Sequence, residues 1–425
     1  MTCLRFNNSL IGTEGQIYAY SAYRFHNTKI IMETESNLYD SGKDSNTLFD
    51  RALNYIKTKY VTRYNIISIQ YQIKLKDTEK WEVLNLNSLL IELEQAGVKM
   101  SMKKLEILFR SHLIQRYNPI EGYFEDLSPW DGKDHIGELC SYIQTDDDEF
   151  FRVQFEKWLT RAVLCALVEG TVNKQCLVFA GPKQNIGKTT LVRFLCPPTL
   201  KRFFAEDIGT DKDSLIKLAK NFLINIDELA VQGKSTINVL KALMSKSHIN
   251  VRLPYGRRQE LMRRIANLLA TTNDIQYLTD ETGNVRWLTF LIHFIDFEYS
   301  NAIDIDKVWS QAYYNAFERK DYNPEMTKDE IIKSEQRNAL FQHWTLEKEL
   351  IAKYFDYGDN DKDFMTATDV LVELRAIGAT MNLNVNQIGK ALKSLKFPTA
   401  RHMGPKRSHG YLVKLKHPRT LNSAK

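Results

Sequence analysis

The chain has little cysteine, and what it has is badly spaced for chemistry. Cys3, Cys140, Cys165, Cys176 and Cys196 make an odd number with no C-x-x-C pair. That excludes a disulfide scaffold and a zinc ribbon, and predicts buried thiols of an intracellular protein. Long hydrophobic runs are missing too: none approaches the roughly 18 residues that a membrane helix needs. The first residues, MTCLRFNNSL, lack the charged and apolar regions of a secretory signal. A cytoplasmic protein with no membrane partner is therefore expected. No internal repeat or low-complexity tract interrupts the 425 residues, which suffice for two or three domains. Hydrophobic residues at 43% and charged residues at 26% are ordinary for a globular chain. The net charge of +6 is unevenly placed, because residues 401–425 hold seven Lys or Arg and no Asp or Glu. Such an end suits an anionic polymer or is simply a solvated basic terminus.

What is present is concentrated in LVFAGPKQNIGKTTLVRFL (177–195): an apolar run, a turn-rich stretch and an apolar-periodic segment. A strand feeding a loop that opens a helix is the arrangement that cradles a triphosphate. Gly181, Pro182, Lys183, Gln184, Asn185, Ile186, Gly187, Lys188, Thr189 and Thr190 form this candidate loop. Lys188 is placed to meet the β/γ-phosphates of ATP, and the Thr189 hydroxyl to hold Mg²⁺. The strict pattern wants Gly where Pro182 stands, and proline lacks glycine's conformational freedom. The plainer alternative is a Gly-Pro turn before a helix with a surface lysine.

Two further apolar runs end in polar residues at the right distance. FLINIDE (222–228) closes on Asp227 and Glu228, 39 and 40 residues after Lys188. ATP hydrolysis needs one carboxylate for the metal, here Asp227, and another to orient the attacking water, here Glu228. IANLLATTN (265–273) closes on Thr271, Thr272 and Asn273, and Asn273 is placed to sense a γ-phosphate. Alone, each would be an ordinary strand end. Between them lie a helix over Ser235–Ser247 and INVRLPYGRRQELMRRI (249–265), which reads as a hairpin. Arg252, Tyr255, Arg257, Arg258, Arg263 and Arg264 supply cations and an aromatic ring for nucleic acid, or else a solvated basic hairpin. DETGNVRWLTF (280–290) sets Arg286 just ahead of another strand. It either reaches a neighbouring subunit's γ-phosphate or pairs with Asp280 or Glu281.

The predicted organisation is α/β, with short strands alternating with helices from 150 to 300 as in a mostly parallel sheet. Residues 1–117 form an N-terminal module, with a strand over 64–75 and helical spacing from Asn87 to Arg116. Residues 118–136 carry two prolines and read as a connecting segment leading into the 118–300 core. A helix is expected over Phe155–Val168, a helical connector over 301–360, and a boundary at the acidic run DYGDNDKDF (356–364). The 361–425 segment predicts a helix capped by Thr366 and Asp369, and a second helix over 384–397 exposing Lys390 and Lys393. Two strands then flank a basic turn containing Lys406 and Arg407. This pattern suits a small winged-helix-like DNA-binding domain or a packing domain with a solvated lysine face.

Taken in order, NPIEGYFEDLSPWDG (118–132), GPKQNIGKTT (181–190), NIDELA (225–230), RLPYGRR (252–258), ATTND (270–274) and ETGNVRW (281–287) resemble the virulence-associated E (VapE/VirE-like) proteins. The ATPase core of that family belongs with superfamily 3 helicases. The resemblance implies an AAA+-like P-loop core, use of ATP and Mg²⁺, a homo-hexameric ring and replication work on mobile DNA, alongside replication proteins or a separate primase. It assigns Lys188 and Thr189 to nucleotide and metal, Asp227 and Glu228 to hydrolysis, Asn273 to sensing, and the turn at Tyr255-Gly256-Arg257 to DNA in a central pore. The family's Gly-Asn-Arg-Arg run is Gly283-Asn284-Val285-Arg286 here, so only Arg286 remains as a finger. A DNA-binding protein that uses ATP binding as a switch is the rival reading, and a small-molecule P-loop kinase has no use for the basic hairpin. Replacing Arg257 and Arg258 by Ala is expected to weaken DNA binding and flatten its salt dependence by about 0.7–0.9 in log–log slope per lost phosphate contact. Titrations across a salt series that give an unchanged slope would remove the hairpin from the interface.

Overall fold

The computed structural model describes residues 47–209, 211–229, 234–252, 259–278, 284–378, 382–402 and 408–416. They divide into two compact units, one reaching to Asn273 and including Val285–Ser334, the other formed by Asp274–Asn284 and residues from Glu335 onward. In the first unit, α1 (Leu48–Lys59) leads into β1 (Tyr60–Asn65), β2 (Gln70–Leu75), β3 (Glu82–Val83), α2 (Leu86–Gln95), α3 (Met102–Arg110) and β4 (Gln115–Tyr117). The sheet order is β3-β2-β1-β4, with the helices packed through Leu53, Leu89, Leu93, Leu105 and Phe109.

Three expectations for this region are corrected. Residues 64–75 are not one strand but parts of an antiparallel pair, because the Asn65 carboxamide accepts the N–H groups of Ile67 and Ser68 and turns the chain. The helical spacing from Asn87 to Arg116 is two helices, broken at Gly97, whose φ is +81°, and restarted by the Ser101 cap. The proline-bearing 118–136 segment contains α4 (Pro119–Asp126) and the start of α5 (His135–Ser141). Asn118 caps α4, and Pro119 sits in its first turn, where a missing N–H costs nothing.

The central sheet is built from β5 (Ile143–Thr145), β6 (Cys176–Ala180), β7 (Phe204–Glu206), β8 (Leu223–Ile226), β11 (Asn267–Thr272) and β12 (Trp287–Ile295). Its order is β5-β12-β6-β11-β8-β7, with β5 antiparallel and the other five strands parallel. Counted along the chain, the parallel strands run fifth, first, fourth, third, second. The chain leaves β6 toward β7 and leaves β11 toward β12, in opposite directions, so a switch point opens beyond the carboxyl ends of β6 and β11. That is where open α/β sheets place their ligands. The intervening helices are α6 (Asp148–Leu167), α7 (Lys188–Phe194), α8 (Lys212–Lys220) and α9 (Lys234–Met244), and α10 (Ile305–Phe317) follows β12. A two-stranded ribbon, β9 (His248–Val251) and β10 (Glu260–Arg263), projects between α9 and β11.

The strands read as continuous apolar runs because both faces are covered. α6 is buried over most of its length, polar positions included: Phe151, Phe155, Trp158, Leu159 and Ala162 are fully enclosed. Two of its polar groups are paired with distant segments: the Lys157 ammonium lies 2.8 Å from a Glu330 carboxylate oxygen, and the Trp158 indole donates to the Gln175 carbonyl. Cys140, Cys165, Cys176 and Cys196 are buried free thiols, and burial pushes those of Cys140, Cys176 and Cys196 up from the usual range. No helix among the described residues is long and apolar enough to cross a membrane.

In the second unit, α11 (Leu346–Tyr354), α12 (Ala367–Ala376) and α13 (Val385–Ser394) enclose Ile351, Val370, Leu374, Ile388 and Leu392. The expected capping box between Thr366 and Asp369 is present. The acidic run 356–364 lies inside this unit and is not a boundary: β13 (Phe355–Tyr357) and β14 (Phe364–Met365) both pair with β16 (Ser408–Leu415), as does β15 (Thr399–His402). Central to the larger unit, Leu269 on β11 is fully buried. Its truncation to Ala is expected to cost about 2–5 kcal/mol, visible as a lowered urea midpoint. A midpoint unchanged from the parent chain would mean that this sheet is not the core.

Candidate functional site

Three neighbouring strands end at one cleft. The loop after β6, the acidic pair after β8 and the polar end of β11 line a cavity of about 280 Å³ with Gln184–Thr190, Asp227, Glu228, Thr271, Thr272 and Asn273. Strand register makes this meeting compulsory. Ala180 pairs with Thr272, and Ile226 with Ala270, so the residues that follow them emerge side by side.

Lys188 opens α7 yet is only 6% exposed, so it is no surface lysine. Its ammonium donates to the Gly181 carbonyl at 3.0 Å, the Lys183 carbonyl at 2.9 Å and Asn273 Oδ1 at 3.0 Å. Burial draws its pKa below the usual lysine range, and the Asp227 carboxylate pulls the other way. A buried cation whose partners are mostly neutral oxygens is electrostatically ready for an anion. Asp227 Oδ1 accepts the Thr189 hydroxyl at 3.3 Å and the Thr271 hydroxyl, while its own N–H donates to Asp207 Oδ1 at 3.2 Å. The Thr189 hydroxyl and the Asp227 carboxylate are hard oxygens of the kind that suits Mg²⁺. Thr271 and Asp207 had no assigned role in the sequence reading. Thr271 stood in the polar run already noted, whereas β7 is too short to announce the carboxylate that follows it.

The loop backbone accounts for Pro182. Positive φ falls on Asn185 at 58° and Gly187 at 93°, and not on Pro182, so no glycine is required there. Gly181 is the residue that must stay small, since a Cβ on it would lie 2.9 Å from the Ile292 carbonyl oxygen of β12. Glu228 is exposed at the cleft with φ of 48°, a left-handed conformation that an ordinary residue adopts only under constraint.

Arg286 sits at the other end of the sheet. The residue after it, Trp287, pairs with Cys176 at the start of β6, four steps or about 13 Å of strand from the loop. Its guanidinium donates twice to the Ser245 hydroxyl, at 3.2 Å. Arg286 is therefore not part of the cleft formed by its own chain.

Two proposed nucleic-acid contacts are corrected. Arg264 is fully buried, and its guanidinium donates to the carbonyls of Ala266, Leu243, Met244 and Asn173. Arg263 donates to the Cys165 and Val168 carbonyls at the end of α6. Both cap helix C-termini, where unpaired carbonyls and the negative dipole end favour a cation. Arg252, Lys390 and Lys393 are exposed, the two lysines on the face of α13 opposite Ile388, Ala391 and Leu392. Tyr255, Gly256, Arg257, Arg258, Lys406 and Arg407 lie outside the described residues.

Residues 124–342 match the virulence-associated protein E-like domain, just over half of the chain. The chain belongs to that family. This VapE-like match runs from α4 past the whole central sheet and includes every residue of the cleft. No curated protein matches the chain significantly. In fold it is similar to the apo structure of the NrS-1 C-terminal region (305–718), with a TM-score of 0.51 at 12% identity, covering 87% of this chain and 100% of that one. A second apo form of the same region aligns at a TM-score of 0.49 and 12% identity, covering 86% and 99%.

Arg264→Met is expected to lower stability by about 3 kcal/mol, because buried carbonyls lose their donor. Arg252→Ala should leave the denaturation midpoint within about 0.5 kcal/mol of the parent. A fully stable Arg264→Met chain with weakened DNA binding would return that arginine to the interface.

Proposed function

We propose that this VapE-like protein is an ATP-driven motor acting on DNA, a helicase or replication-initiation ATPase of a phage or other mobile element. The observation that carries this reading is the convergence of Lys188, Thr189, Asp227 and Asn273 at the switch point of a parallel sheet. An ammonium and a hydroxyl at the start of α7, a carboxylate just past β8 and an amide just past β11 are what a triphosphate with its metal requires. The strand order and the family membership support an AAA+-like P-loop core.

In this reading, Lys188 exchanges its carbonyl and amide partners for the β/γ-phosphate oxygens of ATP. Thr189 and Asp227 hold Mg²⁺, which when bound neutralises charge developing on those oxygens. Glu228, on its strained backbone, orients the attacking water and takes its proton. Asn273, released by Lys188, reads the γ-phosphate. Arg286 points to assembly: at the far end of the sheet from its own loop, it serves the site of an adjacent copy in a ring, as expected for a homo-hexamer.

DNA is engaged by the segment between β9 and β10, carrying Arg252, Tyr255, Gly256, Arg257 and Arg258. A second contact comes from the 361–425 region, where helices and the paired β15 and β16 support a winged-helix-like domain with Lys390 and Lys393 outward, and Lys406 and Arg407 add to its basic charge. The lone Arg286, held by Ser245, favours a second reading, in which ATP binding without turnover switches a DNA-binding regulatory protein.

Lys188→Ala is expected to abolish ATP hydrolysis, and Glu228→Gln to bind ATP while losing at least about a hundredfold in turnover. Full turnover by either variant would overturn the site. DNA-stimulated hydrolysis with strand separation decides for the motor, and binding without turnover decides for the switch.

A further inference from the structure

Among the described residues the cleft is lined by polar side chains, with Ile186 the main apolar contributor and no aromatic ring. It fits a triphosphate and its metal, but its described lining offers no flat surface to a nucleobase. The aromatic ring that touches the phosphate loop comes from elsewhere. β12 runs on past Leu291, the partner of Ala180, and its last residues pair with β5. The chain then turns at Asp296, whose N–H donates to the Tyr142 carbonyl at 2.8 Å. Phe297 follows, 51% exposed, with its Cζ atom 2.7 Å from where a Cβ on Gly187 would lie. Gly187 is thus doubly constrained, by its positive φ and by this ring.

The ring's position is held from both sides. The Phe297 carbonyl accepts the Ser300 N–H and hydroxyl. Tyr299, fully buried, packs edge-on against Phe194 at the other end of α7, with ring centroids 4.8 Å apart. The segment is therefore strapped along the same helix that Gly187 opens. The contact is made by Cζ and Cε1 at the tip of the ring, and about half of the residue stays exposed. A half-exposed phenyl group on a backbone held beside a phosphate loop is a stacking platform for a planar heterocycle.

We propose that Phe297 is the nucleobase platform of the site, holding the base of a nucleoside triphosphate whose phosphates lie against Lys188. This rests on the phosphate-site reading above and adds a positioning residue to it. The platform acts on the base and not on the phosphates, so it separates two ligands that the loop alone would not distinguish. With the full chain, binding of ATP and of inorganic tripolyphosphate is measured by calorimetry. Phe297→Ala is expected to weaken ATP about tenfold, the scale of one lost base–aromatic stack, with tripolyphosphate unchanged. Phe297→Trp is expected to retain ATP affinity. Equal weakening of both ligands by Phe297→Ala would mean that the ring merely props the loop, and unchanged ATP affinity would likewise overturn the platform. A parent chain that binds neither ligand would overturn the phosphate-site reading itself.

Discussion

The Lys188 ammonium is enclosed and held by three oxygens, two from the loop that precedes its helix and one from Asn273, just past the end of β11. Enclosing a cation is costly unless its donors are satisfied. The loop must therefore fold back over its own lysine, and β11 must deliver Asn273 beside β6 although 85 residues separate the two side chains in sequence. Every other feature of the cleft follows from that adjacency. With β11 beside β6, β8 is next, and Asp227 comes within reach of Thr189 and Thr271.

The same requirement governs the arginines. Parallel strands linked by helices leave many helix ends facing the interior, each with unpaired carbonyls. Arg264 gathers carbonyls from the end of α9, the loop before β6 and the entry to β11, and Arg263 does the same for α6. These residues hold the base of the β9–β10 ribbon against the core. At the cleft, Asn185 and Glu228 take left-handed backbones that the surrounding contacts enforce.

Much of the site was legible from spacing, because the apolar runs ending in Asp227-Glu228 and Thr271-Thr272-Asn273 are carboxyl ends of strands by pattern alone, and Lys188-Thr189 open a helix after the loop that follows a third such run. Local turn chemistry was less legible. Asn65 folds a run of β-forming residues into a hairpin, and Asn118 with Pro119 starts a helix where two prolines suggested a loop. The acidic 356–364 run looked like a linker because charge reads as exposure, yet short strands on either side of its turn pair with a distant one. Periodicity reports which residues are apolar, and short polar strands are specified by partners far away in the chain.

By itself, then, the amino-acid order determined the α/β alternation, the loop with its lysine and the placing of acids at strand ends, since these depend on neighbours within a few residues. Only the tertiary structure decided which cations face outward. Arg252 and Arg264 lie in one basic stretch and look alike in sequence, but one is exposed and the other is spent on four carbonyls. The reason is physical: a guanidinium goes where unpaired oxygens are, and those oxygens come from segments that meet only when the sheet assembles. Phe297 shows the same from the other side, an ordinary aromatic in sequence that the end of β12 lays against Gly187.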